Sequence, residues 1–155
     1  MGEDMDSLDI VLAILKYAKS DLHLDVKNSF DDRLRLQKYV FIMEKLNLNL
    51  GYSFNQYLRG PYSPALAMDY YNNSDRIKEL RTDHELTEEE LRVAEKMKKI
   101  VELEPGELEA LSFTLSMGWL CDDNTLVNVR FYKPHLTVAE VKRAIEVGRE
   151  VFKCE

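Results

Sequence analysis

Residues 29–46 read SFDDRLRLQKYVFIMEKL and predict the central helix of the protein. Ser29 is a good N-cap, and Asp31 and Asp32 place negative charge at the positive end of the helix dipole. The apolar residues that follow occupy more than one helical face, which is typical of a helix surrounded by other elements. The Asn and Gly residues within 47–51 tolerate a left-handed turn and end the helix.

Residues 52–66, YSFNQYLRGPYSPAL, predict a short strand, a turn and the start of another helix. The strand covers Tyr52–Leu58, where aromatic residues partly alternate with polar ones. Ser63 suits an N-cap and Pro64 suits the first helical position, so a helix is expected over 65–71. The candidate partner strand is His84–Leu86.

The remaining segments predict a mainly α fold, a compact bundle of about six helices with a small antiparallel β-hairpin. Leu8–Ser20 has apolar residues at helical spacing. Thr87 with Glu90, and Thr137 with Glu140, form capping boxes that begin two further helices. Two other segments are interpreted from their composition, a helix over Glu107–Leu120 and a partly extended stretch over Leu126–Lys133.

The charge balance argues against nucleic acid as the partner. The chain has 155 residues and a net charge of −7, with a pI near 5.1, and this length favours a single domain over 1–155. Affinity for nucleic acid comes mainly from cations that neutralise phosphates. Here the Lys and Arg residues are interleaved with Glu, as in Glu88–Arg92 and Glu95–Lys99, which is typical of solvated helix faces.

The compartment is predicted from the apolar runs, the first residues and the cysteines. No apolar run approaches the ~20 residues that span a bilayer. The acidic start, Met1–Asp6, lacks the basic region of a signal peptide. Cys121 and Cys154 form no CxxC pair and no metal-like spacing. We therefore expect a cytoplasmic protein without membrane contact and with reduced cysteines; a disulfide between the two is the alternative.

Catalytic and metal sites are not indicated, so no cofactor and no metal are expected. The acidic spots at 83–85 and 122–123 are typical of turns. A small enzyme or ligand sensor that uses Asp83, His84 or Asp122 ranks last among the hypotheses. The histidines lack the spacing of metal ligands: His23, His84 and His135.

The most unusual surface segment is Arg59-Gly60-Pro61-Tyr62-Ser63-Pro64. Gly60 can adopt a backbone angle denied to other residues, and Pro61 fixes the next one. Arg59 offers a planar fork of donors and Tyr62 a broad amphipathic ring, and both residue types are enriched at binding hot spots. The simpler interpretation is a strand-to-helix connection in which Pro and Gly only shape the turn. Aromatic residues cluster near the same place: Tyr52, Phe54, Tyr57, Tyr70 and Tyr71.

Two segments together resemble the Panacea domain, which occurs in SocA-like antitoxins and GepA-like phage-associated proteins. Residues 30–41 and 52–66 are similar to its pattern of LQKLLYF followed by GP and a later Pro, and Leu86–Glu90 resembles the start of its next helix. The clear match covers 29–101, and the helices of 107–155 would complete the core. The matching motif residues are Leu36, Gln37 and Lys38 in the helix, and Gly60, Pro61 and Pro64 in the loop.

The resemblance implies a mainly helical domain with a small hairpin, no enzyme activity and a partner protein. In toxin–antitoxin pairs such domains are thought to bind and neutralise a toxin, and SocA-like antitoxins are linked to delivering their toxin to a protease. The leading hypothesis is therefore a non-enzymatic protein-interaction module, antitoxin-like or adaptor-like, whose partner is a protein such as a toxin encoded nearby.

In this hypothesis the segment from Arg59 to Pro64 forms the partner-binding site. Arg59, Pro61 and Tyr62 would carry part of the contact, while Gln37 and Lys38 would hold the loop from the central helix. The alternative is a winged-helix-like DNA-binding transcriptional regulator, since a helix, a hairpin and another helix follow one another. That alternative needs a basic helix face, for which the candidates are Arg33, Arg35, Lys38 and Lys45.

Overall fold

Helices dominate the computed structural model, which describes residues 6–154. The predicted mainly helical class with a small hairpin is confirmed, with eight helices in the described part of the chain. Two of these, over Ser74–Lys78 and Thr125–Tyr132, add to the six expected helices. The elements in chain order are α1 (Ser7–Ala18), α2 (Phe30–Lys45), β1 (Asn55–Tyr57), β2 (Gly60–Tyr62), α3 (Pro64–Asn72), α4 (Ser74–Lys78), α5 (Glu88–Ile100), α6 (Pro105–Met117), α7 (Thr125–Tyr132) and α8 (Val138–Phe152).

Helix α2 is the central element, as its apolar pattern predicts. Its N-cap is Ser29, whose hydroxyl accepts a hydrogen bond from the amide of Asp32 at 3.1 Å. From Leu34 onward nearly every side chain is buried, because α5, α6 and β2 pack around it. The helix ends at a left-handed Asn47, with φ of 74°.

The outer helices enclose one contiguous apolar core. Both predicted capping boxes are present, at Thr87 with Glu90 and at Thr137 with Glu140. Helix α1 packs on α5, and α8 packs on α6 and α7. The approach of α8 to α6 is close at Gly148, where a Cβ would lie 2.6 Å from Leu111 Cδ1.

The hairpin differs from the prediction in its second strand. Asn55–Tyr57 pairs antiparallel with Gly60–Tyr62, in a register that places Tyr57 opposite Gly60. His84–Leu86 forms no strand. The physical reason is local: only Leu58 and Arg59 connect the two strands, so this pairing costs far less loop-closure entropy than pairing with a segment some thirty residues away.

The C-terminal third contains two corrections. The stretch expected to be extended is helix α7, which begins at Thr125, and the Thr125 hydroxyl donates to the carbonyl of Asp122 at 2.7 Å. The structure joins Cys121 and Cys154 by a disulfide across 33 positions, which corrects the expectation of reduced thiols. Arg149 holds the same turn, because its guanidinium donates to the carbonyls of Leu120 and Asp122, each at 2.8 Å.

Among residues 6–154, no helix has the length and apolar character needed to cross a bilayer. The acidic start used in the signal-peptide prediction lies, except for Asp6, outside the described residues.

Candidate interaction site

The hairpin is held from below by two buried polar side chains of α2. The Gln37 side-chain amide donates to the Ser63 carbonyl at 2.9 Å, and its oxygen accepts from the Ser63 amide at 2.8 Å. This pair of hydrogen bonds imitates the pairing of a neighbouring strand. Lys38 Nζ donates to the Pro61 carbonyl at 2.7 Å. The structure thus places both motif side chains against the loop, with Leu36 fully buried in the core beside them.

Gly60 is required where the chain turns over Lys38. Its φ of +93° lies in the region that favours glycine. A Cβ at this position would stand 3.3 Å from Lys38 Nζ. The glycine therefore meets two needs at once, the backbone angle of the turn and the close approach of the lysine.

Burial makes Lys38 an unusual amine. Only 2 % of the residue is exposed. Burial is the main cause that lowers the pKa of Lys38 from 10.5 to about 7; the charge of Glu109 opposes the shift, and the charges of Lys133 and Arg59 add to it. Near neutral pH both the charged and the neutral amine are therefore populated, and either form can donate to the Pro61 carbonyl.

A buried carboxylate on α6 organises the other side of the hairpin. Glu109 is 1 % exposed and lies 2.8 Å from His135 Nε2, 3.7 Å from Lys133 Nζ and 3.7 Å from an Arg59 guanidinium nitrogen. Lys133 is also buried, and its amine donates to the Leu58 carbonyl at 2.6 Å. The hairpin turn is therefore tied to the end of α7 as well as to α2.

Sequence reasoning missed Glu109 and Lys133. A signal existed for Glu109, since it stands alone among the apolar residues of α6, in LEALSF. A charged side chain on the apolar face of a helix is seldom left without a partner. No comparable signal marked Lys133, which follows α7 and meets the hairpin 75 residues away.

A groove opens beside the hairpin, between its aromatic face and the start of α2. Its volume is about 610 Å³. Leu58, at the tip of the hairpin, is 90 % exposed, and Phe30, Tyr57 and Tyr71 are each about half exposed. The Tyr57 and Tyr62 rings meet edge to face with centroids 5.0 Å apart. The lining residues are Phe30, Arg33, Leu34, Gln37, Lys38, Tyr57, Leu58, Arg59, Gly60, Tyr62, Tyr70 and Tyr71.

Two guanidinium groups flank the Phe30 ring in this groove. The central carbon of Arg33 lies 5.9 Å from the ring centroid and that of Arg59 lies 5.6 Å from it. Both distances are within the range of a cation–π contact. None of the residues that line the groove carries a carboxylate. The groove therefore combines an apolar floor with positive charge.

The six predicted contact residues divide into two groups. Arg59 is exposed, and Tyr62 is half buried in the groove wall. Pro64 is exposed at the start of α3 and does not line the groove. Gly60, Pro61 and Ser63 are buried, and of these three Gly60 also lines the groove. The Pro61 carbonyl accepts the hydrogen bond from Lys38.

The predicted aromatic cluster also divides. Tyr57, Tyr70 and Tyr71 line the groove. Phe54 instead packs edge to face on Phe41, 5.3 Å between centroids, and the Tyr52 hydroxyl donates to Asp69 at 2.7 Å. Phe30 and Leu58 line the groove although the sequence did not single them out.

The four basic residues named for DNA binding lie in different surroundings, and Arg33 lines the groove. Lys38 is buried under the hairpin. Arg35 pairs with Asp32 at 3.2 Å and with Glu104 at 3.6 Å. Lys45 lies over the Phe41 ring, 5.5 Å from its centroid.

The remaining acidic and histidine candidates lie in a different part of the molecule. Asp83 and His84 border an open cavity of about 420 Å³, and the His84 ring lies 2.7 Å from Glu90, which completes the capping box of α5. Asp122 belongs to the turn after α6, so the structure does not bring it together with them. Across residues 6–154, no three His, Cys, Asp or Glu side chains converge in a way that could hold a metal ion.

Comparison with known proteins yields no relative. No family model matches the chain, and neither the curated proteins nor the solved structures contain a match. The resemblance of residues 29–101 to the Panacea domain therefore stays a prediction from the motifs.

Proposed function

We propose that this protein is a non-enzymatic interaction module, antitoxin-like or adaptor-like, that binds a partner protein in the groove beside its hairpin. The observation that carries the proposal is the contrast between the two faces of the hairpin. The inner face is fixed by buried side chains on its carbonyl groups, and the outer face presents apolar and aromatic side chains to solvent.

The fixed backbone favours binding because little order has to be created on association. Ordering a loop and its side chains is one of the main free-energy costs of forming a complex. Here Gln37, Lys38 and Lys133 already hold the hairpin at three carbonyl groups. A partner that docks here would meet a surface close to its bound shape.

The composition of the groove supports the same proposal. Tyr and Arg are the residue types that most often dominate binding energy at protein interfaces, together with Trp. Four tyrosines and two arginines line this groove. Their position agrees with the loop motif that resembles the Panacea domain, whose antitoxin members bind a toxin. The proposed partner is accordingly the product of a neighbouring gene.

Co-purification with the product of the adjacent gene tests the proposal. The wild-type chain should retain the partner, and the Arg59→Ala and Tyr62→Ala variants should each lose at least about tenfold in affinity, as expected for hot-spot residues. Phe131→Ala is the control, because Phe131 is an exposed aromatic residue on α7, outside the groove. Undiminished binding by both groove variants, or no binding by the wild-type chain, contradicts the proposal.

A further inference from the structure

We infer that the groove takes an acidic polypeptide segment, one that places an aromatic or aliphatic side chain on the apolar floor and a carboxylate against Arg59 and Arg33. The inference rests on the proposed function and specifies the chemistry of the partner. It is drawn from the charge of the groove, the unused donors of its arginines and its size.

The groove is a positive spot on an acidic protein. Its lining contains Arg33, Lys38 and Arg59 and no Asp or Glu, whereas the whole chain has a net charge of −7. The buried Glu109 offsets part of this charge from below, at 3.7 Å from Arg59. Because the whole chain is acidic, the positive groove is where electrostatics would favour an acidic segment.

The N–H groups of Arg59 are free to donate hydrogen bonds to a ligand. Its side chain is 56 % exposed. Within residues 6–154 it donates no hydrogen bond, and the 3.7 Å between its guanidinium nitrogen and the Glu109 carboxylate oxygen is too long for one. A guanidinium group presents five N–H donors in a planar fork that matches a carboxylate. The Arg59 fork is therefore available for a carboxylate supplied from outside.

Arg33 is the second arginine in contact with the Phe30 ring. In the described part of the chain its guanidinium donates to the Val26 carbonyl, at 3.0 Å, and has further N–H groups unassigned. Both guanidinium groups lie within 6 Å of the centroid of the Phe30 ring, at 5.9 Å for Arg33 and 5.6 Å for Arg59. A single carboxylate placed near the exposed edge of Phe30 is attracted by both arginines.

The apolar floor of the groove determines which side chains of the segment can bind there. Tyr57, Leu58 and Tyr71 expose large apolar surfaces around a groove of about 610 Å³. A groove of this size lies in the range of small-ligand pockets and is much smaller than a whole protein face. It suits a short segment with one or two anchor side chains.

A nucleic acid strand fits these observations less well than a peptide. A strand carries a phosphate at every nucleotide and is bound along a row of cations. Here both available guanidinium groups lie within 6 Å of the centroid of a single ring, so the two charges form a local patch and not a row. The net charge of −7 adds repulsion along the rest of a strand.

Selection of short random peptides on the full chain, followed by affinity measurements, tests the inference. The selected peptides should combine Asp or Glu with Leu, Phe, Tyr or Trp. Arg59→Gln should weaken a selected acidic peptide about tenfold or more, as expected for a charge-assisted hydrogen bond. It should leave the affinity for the same peptide with Gln in place of Glu unchanged. Arg33→Gln should act in the same direction, which covers the case that Arg59→Gln does not fold.

Three results overturn the inference. The first is the selection of neutral or basic peptides whose affinity falls in Leu58→Ala. This result agrees with the proposed function but refutes the inference that the partner segment is acidic. Equal weakening of the Glu and Gln peptides by Arg59→Gln also removes it. The third is a competition result. If a single-stranded oligonucleotide displaces the bound peptide at a lower concentration than unlabelled peptide does, the groove binds nucleic acid. If no peptide depends on Leu58 or Tyr62, the proposed function fails as well.

Discussion

Two exposed aromatic regions of the molecule differ in what lies around them. The α7 face, formed by Val127, Phe131 and Tyr132, is at least as exposed as the groove, with Phe131 at 77 %. Arg130, on the same helix, donates one hydrogen bond to the Leu136 carbonyl, as Arg33 of the groove does to the Val26 carbonyl. The groove differs in having a second arginine, Arg59, beside the Phe30 ring and a backbone fixed by buried side chains. Exposed apolar area alone does not identify a binding site, since most proteins expose some.

The largest expected effect concerns the buried carboxylate under the hairpin. Glu109→Ala leaves Lys133 buried with no counter-charge, so we expect the free energy of unfolding to fall by about 3–5 kcal/mol. Urea unfolding followed by circular dichroism measures it. The matched control is Glu150→Ala, which removes an exposed pair with Lys99 at 2.7 Å and should cost less than about 1 kcal/mol. Similar losses in the two variants would refute the structural role of Glu109.

A comparable loss of stability is expected on the α7 side of the molecule. Replacing Cys121 and Cys154 together by Ser opens a loop of 33 positions, which the chain-entropy relation values at about 3–4 kcal/mol. The groove should nevertheless bind as before, because its supports lie elsewhere. Thermal unfolding of the double variant, and of the wild-type chain with and without reductant, measures the loss of stability. The affinity of the double variant for the partner shows whether the groove still binds. Loss of binding in the folded double variant would show that the two regions are coupled.

The pH dependence of stability distinguishes Lys38 from an ordinary lysine. Burial lowers its folded-state pKa to about 7 from 10.5. Between pH 7 and pH 10.5 the unfolded chain therefore binds a proton that the folded chain has released. The free energy of unfolding rises with pH over this range, and the gain is lost again as the pH falls back to about 7. From pH 7 to about 9.5 the wild-type chain should gain roughly 2–3 kcal/mol relative to Lys38→Met.

That comparison has to stay below pH 10. Burial raises the pKa of both Tyr39 and Tyr70 to about 12, so their unfolded forms ionise first and stability falls in more alkaline solution. Parallel stability curves for the wild type and Lys38→Met between pH 7 and 9.5 would mean that the Lys38 amine is not buried as described.

The smallest effect tests the turn itself. Gly60→Ala forces alanine to a φ of +93° and places its Cβ 3.3 Å from Lys38 Nζ, so a loss of about 1–2 kcal/mol is expected. Gly51→Ala is the matched control, with a φ of +82° and no described atom within 4 Å of the added Cβ. Only Gly60→Ala should also weaken binding in the groove. Equal stability losses would assign the whole effect to the backbone angle.

Local signals made much of this fold predictable. Ser29, Ser63 with Pro64, and the capping box at Thr87 each determine a helix start through neighbouring atoms, and each stands where it was predicted. The burial of α2 on several faces likewise follows from its own composition.

The features that failed to be predicted depend on residues far apart in the chain. Helix α7 is short and weakly patterned, and its packing on α8 decides its structure. Glu109 meets its partners 24 to 50 residues away, at Lys133 and Arg59. In the site, the exposure of Arg59 and the closeness of Gln37 and Lys38 to the loop were foreseen. The burial of Pro61 and Ser63 was not, because those same side chains of α2 pull the loop inward.

Amide hydrogen exchange on the complex with a selected peptide or the adjacent gene product tests the central claim most directly. The amides of residues 55–62 should exchange more slowly in the complex than in the free chain, and those of residues 125–132 should be unchanged. Slower exchange confined to 125–132 would contradict the account, since it would place the partner on the α7 face.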